Sequence, residues 1–338
     1  MRAATDLAVR QDVDWLIAPD SFKGTYSARE VAVAIARGID GIGVVDICPV
    51  ADGGEGTLQI VLDALGGSSV EEPVHDPLGR LITAPLGWSE DRSLAIVETA
   101  SASGLSLLAS PERDAEAAST FGTGELIAAA VGAGATHVAL MAGGAASTDG
   151  GSGAIDAIEA AGGLGGTQLT VLADVTTPFE RAAEVFGPQK GADAEAVTRL
   201  TARLHERAEA LPHDPRGVPM SGAAGGLAGG LWAFYDAAIV PGAAWVLDAT
   251  GFDDRLGRAS VVITGEGRLD AQTLEGKLVS EIARRCARAS VPVHAVVGSL
   301  ALSATESTKL GLTSVCEASD LLQMETAGRT LATSARST

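Results

Sequence analysis

Lysine, cysteine and clustered basic charge are scarce in this 338-residue chain. Four lysines (Lys23, Lys190, Lys277, Lys309) stand against 43 acidic residues, and the net charge is −19. A basic stripe for gripping nucleic acid or an anionic membrane is thereby excluded, because such binding needs clustered Lys and Arg. Cys48, Cys286 and Cys316 are an odd, widely spaced set without a CxxC pair. They predict reduced thiols in a cytoplasmic protein, not a disulfide framework. Five histidines show no HxxxH or Cys/His spacing, so no zinc site is expected. No GxSxG elbow supports Ser-His-Asp hydrolysis. Walker A fails as well: Gly276-Lys277 is followed by Leu278, and Ala271 stands where its leading glycine belongs. The dinucleotide fingerprint GxGxxG is absent; the richest glycine cluster, 222–230 (GAAGGLAGG), leads into an apolar helix. Asp6, Arg10, Asp12 and Asp14 leave no apolar core for a secretory leader. The apolar stretches 126–147 and 223–249 are broken by glycines, by His137 and by Asp236 and Pro241-Gly242, so neither reads as a membrane span.

What is present is an ordinary globular composition, 46% hydrophobic and 20% charged, in 34.0 kDa. Length gives a prior of about two domains, with enough core to need no staple. Glycine is the excess: 42 residues, about 12% against a usual ~7%, in clusters without a period. Three of the four lysines touch a glycine, in Phe22-Lys23-Gly24, Gln189-Lys190-Gly191 and Gly276-Lys277. Glycine abundance alone gives such neighbours; the functional reading is local positive charge aimed at an anionic small molecule.

Along the chain, strand, loop and helix alternate. An apolar run at 15–18 ends at Pro19-Asp20. Ser27 with Glu30 then forms a capping box for a helix whose apolar face is Val31, Ile35 and Ile39. A second strand over 44–50 leads into Asp52-Gly53-Gly54-Glu55-Gly56 and a helix over 57–65. This alternation predicts a parallel sheet with helices on its faces and ligands outside the carboxyl ends of the strands. From about residue 73 the texture changes to an antiparallel element with strands over 81–88 and 94–98. A helix (123–132), a strand (137–142), a glycine loop, a helix (154–161) and a strand (169–172) ending at Asp174 follow. After a charged amphipathic helix at 195–211, the last third returns to the first pattern. Its strand over 260–264 leads into the loop 265–270, then come a helix (277–289) and strands at 293–297 and 313–316. The simplest architecture is one α/β domain built from both chain ends (13–82 plus 258–326), a second domain inserted at 83–257, and tails at 1–12 and 327–338.

The pattern D-G-G-x-G occurs twice, at 52–56 and 149–153, each time after a strand and before a helix. Paired glycines turn backbone N–H groups toward one point, and a helix N-terminus adds partial positive charge. An Asp at the start can hold Mg²⁺ or accept a hydroxyl proton. The alternative is a pair of capped helix starts. Seven carboxylates lie beside glycine or at strand ends: Asp20, Asp52, Glu55, Asp149, Asp174, Glu266 and Asp270.

Eight segments carry a resemblance: 17–24 (IAPDSFKG), 49–57 (PVADGGEGT), 76–80 (DPLGR), 98–105 (ETASASGL), 120–127 (TFGTGELI), 186–192 (FGPQKGA), 222–227 (GAAGGL) and 263–276 (ITGEGRLDAQTLEG). In this order and combination the chain resembles the type-1 glycerate kinases of bacteria. The resemblance implies a flavodoxin-like α/β domain carrying an inserted α/β domain likened to restriction endonucleases. It also implies phosphorylation of D-glycerate by ATP with Mg²⁺ in the cleft between the domains, 2-phosphoglycerate being the favoured product. On that footing Lys23, with Ser21 beside it, would meet phosphate or the glycerate carboxylate, and Arg80, Lys190, Arg268 and Lys277 are further cations for anionic groups. Asp52 and Glu55 would hold Mg²⁺, and Asp149 or Asp174 would orient and deprotonate the attacking hydroxyl. Gly53, Gly54, Gly150, Gly151, Glu266 and Asp270 complete the expected binding loops. Two departures stand in the 143–151 loop, where Ala145 replaces the family's serine and Thr148 its asparagine. They keep two other readings open: a sugar-acid-binding protein without turnover, and a kinase for a related hydroxy acid.

Overall fold

A computed structural model describes residues 13–335, apart from 272 and 274–276. The expected leading tail at 1–12 and Gly276 lie outside the described residues. The strands in chain order are β1 (Val13–Pro19), β2 (Val45–Ile47), β3 (Ser68–His75), β4 (Leu81–Trp88), β5 (Leu94–Glu98), β6 (His137–Met141), β7 (Gln168–Ala173), β8 (Ala238–Pro241), β9 (Ala259–Glu266), β10 (Val293–Val297) and β11 (Ser314–Glu317). The chain divides into two compact units, residues up to 50 with those from 251 onward, and residues 51–250.

The first unit holds a five-stranded sheet in the order β11-β10-β9-β1-β2, parallel throughout. Counted within the unit this is the doubly wound order 2-1-3-4-5 of flavodoxin-like folds, which reverses between β1 and β9. Trp15, Leu16, Ile17 and Ala18 of β1 are all buried, as a strand covered on both faces requires. The capping box forms as expected: Glu30 N–H donates to Ser27 Oγ (3.2 Å) and Ser27 N–H to Glu30 Oε2 (2.8 Å). Val31, Ile35 and Ile39 of the helix Ala28–Ile39 then pack with Trp15, Ile17 and Ile263.

The chain's last described stretch corrects an expectation. Residues 327–335 belong to the helix Leu321–Ala335, not to a tail. Met324, Ala327, Leu331 and Ala332 recur at helical spacing and are buried in the same core as Ile35. Gly38 and Gly328 let this helix lie backbone-close to Ala28–Ile39; a Cβ on Gly328 would run into the Ile35 carbonyl.

The second unit holds a six-stranded sheet, β3-β4-β5-β6-β7-β8. Its first three strands are antiparallel and β5 to β8 are parallel. Residues 51–82, expected in the first domain, therefore lie here. β4 pairs with β5 at Gly87↔Ile96 and Trp88↔Ala95, and β3 pairs along the whole of β4. The helix Thr57–Leu65 buries Val61 and Leu62 against Ile96, Met141, Leu172 and Val246. The expected return at residue 258 likewise moves to 251. Both apolar stretches resolve into short elements, such as the helix Phe121–Gly132 followed by β6. No described helix is long and apolar enough to cross a membrane.

Glycine to alanine inside a helix ordinarily stabilises by about 1 kcal/mol. Gly328→Ala is expected to do the reverse, costing about 1–3 kcal/mol through overpacking; a denaturant midpoint at or above wild type would contradict this packing.

Candidate active site

In the first unit, the turns after β1, β9 and β10 meet at the carboxyl edge of the sheet. Asp20 N–H donates to the Gly265 carbonyl (2.8 Å), Gly298 N–H to Glu266 O (3.1 Å) and Ser299 N–H to Gly267 O (3.1 Å). Gly267 lies against the Phe22-Lys23 backbone, where a Cβ would sit 3.4 Å from Phe22 Cα. Ser21, Lys23, Glu266, Arg268 and Asp270 are thus drawn to one edge, at the point where the strand order reverses. Asp20 is buried and takes the Ser21 N–H (2.6 Å). Lys23 and Arg268 are exposed, Arg268 pairing with Asp270 at 3.3 Å. Glu266 Oε1 accepts from the buried Thr273 hydroxyl (2.7 Å). Lys277 stands at the N-cap of the helix Leu278–Ala289, with its carbonyl accepting from Ser280 Oγ.

In the second unit, both D-G-G-x-G loops lie at the carboxyl ends of the parallel strands. Gly53 approaches Gly242, which follows β8, so closely that a Cβ would be 2.7 Å from its Cα. Gly143, after β6, meets Gly54 in the same way at 2.8 Å. Asp174, exposed, directly follows β7. Asp52 is buried and accepts the Gly54 N–H at 2.9 Å, whereas Glu55 is exposed.

The helix starts themselves are already capped by carboxylates. Glu98, buried at the end of β5, takes the Leu58 N–H (2.8 Å), and the Gly56 and Thr57 N–H groups also point to it. Burial pushes the Glu98 carboxyl up, and nearby Glu55 adds to that, against the pull of the three amides. In the second loop Asp149 does the capping. Its Oδ2 takes Thr120 N–H (2.9 Å), Thr120 Oγ–H (2.8 Å) and Gly153 N–H (3.2 Å), and its Oδ1 takes Gly151 N–H (3.1 Å). Four donors on one carboxylate make Asp149 a brace for its loop. The glycine cluster at 222–230 packs behind it: Gly225 lies on the Ser147 carbonyl, and its own carbonyl takes the Gly150 N–H (3.1 Å).

Two expected ligand cations are otherwise engaged. Arg80 Nε donates to Asp76 and its Nη1 to Glu112 (2.7 Å). Burial raises the Asp76 carboxyl, but the Arg80 backbone and side-chain donors outweigh it and hold the group below its ordinary range. Lys190 is 2% exposed and donates to the Ser147 carbonyl, on the far side of the loop from solvent. Burial pushes its ammonium down to about 8, with the Asp149 charge pulling the other way. Ala145 and Thr148 are buried, so both departures sit inside the loop. Sequence reasoning did not single out Glu98 or Thr120, although each opens a matched segment. Arg203 left no local signal, being one charge among many on the helix Ala194–Ala210.

The Glycerate kinase family profile matches residues 15–163 and 159–336. The chain belongs to the glycerate kinase family. A glycerate kinase of Halalkalibacterium halodurans is 38% identical over 84% of this chain and 85% of its own length. The glycerate 2-kinase of Escherichia coli is 37% identical over the same shares. A crystal structure assigned as a glycerate kinase 2 from Salmonella typhimurium LT2 superposes with a TM-score of 0.83, at 33% identity, covering 97% of this chain and 99% of that one. As in the sequence, the glycerate kinase segments run through both units.

Asp149→Asn places an amide N–H₂ among donors that need an acceptor. It is expected to lower unfolding stability by about 2–3 kcal/mol, measured by denaturant titration; an unchanged midpoint would remove the bracing role.

Proposed function

We propose that this glycerate kinase transfers the γ-phosphoryl group of ATP to the C2 hydroxyl of D-glycerate, giving 2-phosphoglycerate and ADP. The observation that carries the reading is a full-length family match in which both D-G-G-x-G loops lie on one sheet edge. Phosphoryl transfer leaves the protein mainly positioning and charge neutralisation. Lys23 and Arg268, exposed at the edge of the first unit's sheet, suit phosphate or carboxylate oxygens. Arg80 and Lys190 are expected to act through the segments they hold. Ser21, Glu266, Asp270 and Lys277 shape the turns around them, and the paired glycines at 53–54 and 150–151 shape the second unit's loops.

Among the described residues no three acidic, His or Cys side chains form a ready metal cage. Mg²⁺ carried by a nucleotide takes only one or two protein carboxylates, the phosphates and water supplying the rest. One buried and one exposed carboxylate in a single loop, Asp52 and Glu55, fit that demand and would hold it. When bound, the ion neutralises charge on the β- and γ-phosphates. Deprotonation of the attacking hydroxyl is assigned to Asp174, exposed directly after β7 at the carboxyl edge of the second unit's sheet, while Asp149 braces its loop through four donors.

The test is an assay with D-glycerate, Mg²⁺-ATP and enolase as the sole downstream enzyme. Prompt phosphoenolpyruvate is expected; ADP without it moves the transfer to C3, and neither product removes the assignment. Asp174→Asn is expected to lower kcat by about 100-fold or more. A wild-type kcat in that variant would end the base role of Asp174.

A further inference from the structure

Behind the 143–151 loop sits a group that its surroundings make expensive. Lys190 is fully enclosed, yet its hydrogen bond goes to a neutral carbonyl, that of Ser147. A methionine would fill comparable space without desolvating an ammonium. One residue further on, the Thr148 carbonyl is taken by Arg203 Nη2 (2.9 Å), while Arg203 Nη1 holds the Glu116 carbonyl (2.8 Å). Two consecutive carbonyls of the loop are therefore each drawn toward a cation, one from the 188–190 turn and one from the helix Ala194–Ala210. Peptide groups are planar, so fixing successive carbonyls fixes the course of the chain entering Asp149. The arm before it is pinned too, by Leu105 N–H on Gly144 O (2.8 Å) and Ala146 N–H on Ser103 O (2.9 Å).

We propose that Lys190 and Arg203 are positioning residues for the transfer reaction: a two-cation clamp that grips the Ser147 and Thr148 carbonyls from behind and sets the loop carrying Asp149, Gly150 and Gly151. The proposal rests on the glycerate kinase reading above, because it takes that loop as part of the substrate site. It reassigns Lys190 from a ligand of anions to a support, and it gives Arg203 a role that its place on a charged helix did not suggest. The clamp also has a pH limit. With its ammonium pushed down to about 8 by burial, Lys190 is half-charged near that pH and loses its charge progressively as the pH rises further. Arginine does not titrate there, so Arg203 keeps its grip. The other charged groups placed against the same segment are Asp149 in the loop, Arg207 against Gly150, and Arg113, whose backbone meets Gly191.

The experiment compares wild type with Lys190→Met, Arg203→Met and Arg203→Lys in steady-state kinetics from roughly pH 6.5 to 9.5, alongside amide hydrogen exchange. In both methionine variants kcat is expected to fall about tenfold or more, with KM for D-glycerate moving less than about threefold. Arg203→Lys, which can reach one carbonyl but not fork to two, should recover part of that loss. Exchange across 143–155 should rise in the methionine variants while β6, β7 and the helix Phe121–Gly132 keep wild-type protection. Wild type and Arg203→Met should lose kcat above about pH 8, and Lys190→Met should lack that limb. A kcat within about twofold of wild type in both methionine variants overturns the clamp. So does a rise in exchange spread through the whole second unit, which would mark plain destabilisation. Should Lys190→Met not fold, the two Arg203 variants decide. Should wild type turn over no D-glycerate, the functional reading falls and exchange alone judges the clamp: a local rise upholds it, and unchanged exchange at 143–155 ends it.

Discussion

Four donors converge on the Asp149 carboxylate, and the turn after β6 takes its form from them. Because the carboxylate is anionic, each N–H or O–H that reaches it gains about twice what a neutral acceptor would give. The cost of bending the chain through two left-handed glycines, Gly150 and Gly151 (φ +62° and +78°), is offset there. Thr120 is buried and begins the segment that becomes the helix Phe121–Gly132, so the same contact joins the loop to the sheet's helical layer. Gly225 and Gly230 then close over the turn, where any side chain would strike the carbonyls of Ser147 and Gly150.

The two similar loops solve one problem by different means. Each has a helix start whose amides need an acceptor. The second loop supplies its own carboxylate four residues before Gly153. The first borrows Glu98 from the end of β5, forty residues away in sequence from the Leu58 amide it receives. Burial makes that carboxyl costly to ionise, and three amides pull the other way. Both helix starts are therefore satisfied internally. Lys23 and Arg268, by contrast, are exposed at the edge of the first unit's sheet.

Much of the fold was legible because its signals are local. The strands β4, β5 and β10 and the helix Thr57–Leu65 carry the bounds expected from hydrophobic runs and turn residues. The Ser27–Glu30 box needs only residues three apart. The domain boundary was not legible, since nothing in residues 51–82 states which sheet its strands will join. That choice is made by β4 pairing with β5 and by Val61 and Leu62 meeting Leu172 and Val246 from distant parts of the chain. The C-terminal helix was missed because its apolar stripe is short, two alanines with Met324 and Leu331, and its burial depends on a partner helix whose Gly38 and Ile35 backbone it meets only in the folded chain.

By itself the sequence determined the α/β class, the positions of the chemistry-bearing loops and, through eight ordered segments, membership of the glycerate kinase family. Tertiary structure decided which charged residues of those loops are buried and which groups they meet. Lys23 and Lys190 both stand next to glycine in the sequence, yet one is exposed at a sheet edge and the other is enclosed beneath a carbonyl. Asp149 and Asp174 both stand beyond strands, yet one takes four donors inside its loop and the other is exposed directly after β7. Residue type fixes what a group can donate, accept or ionise; its burial and its partners come from chain segments far apart in sequence, and only folding brings those together.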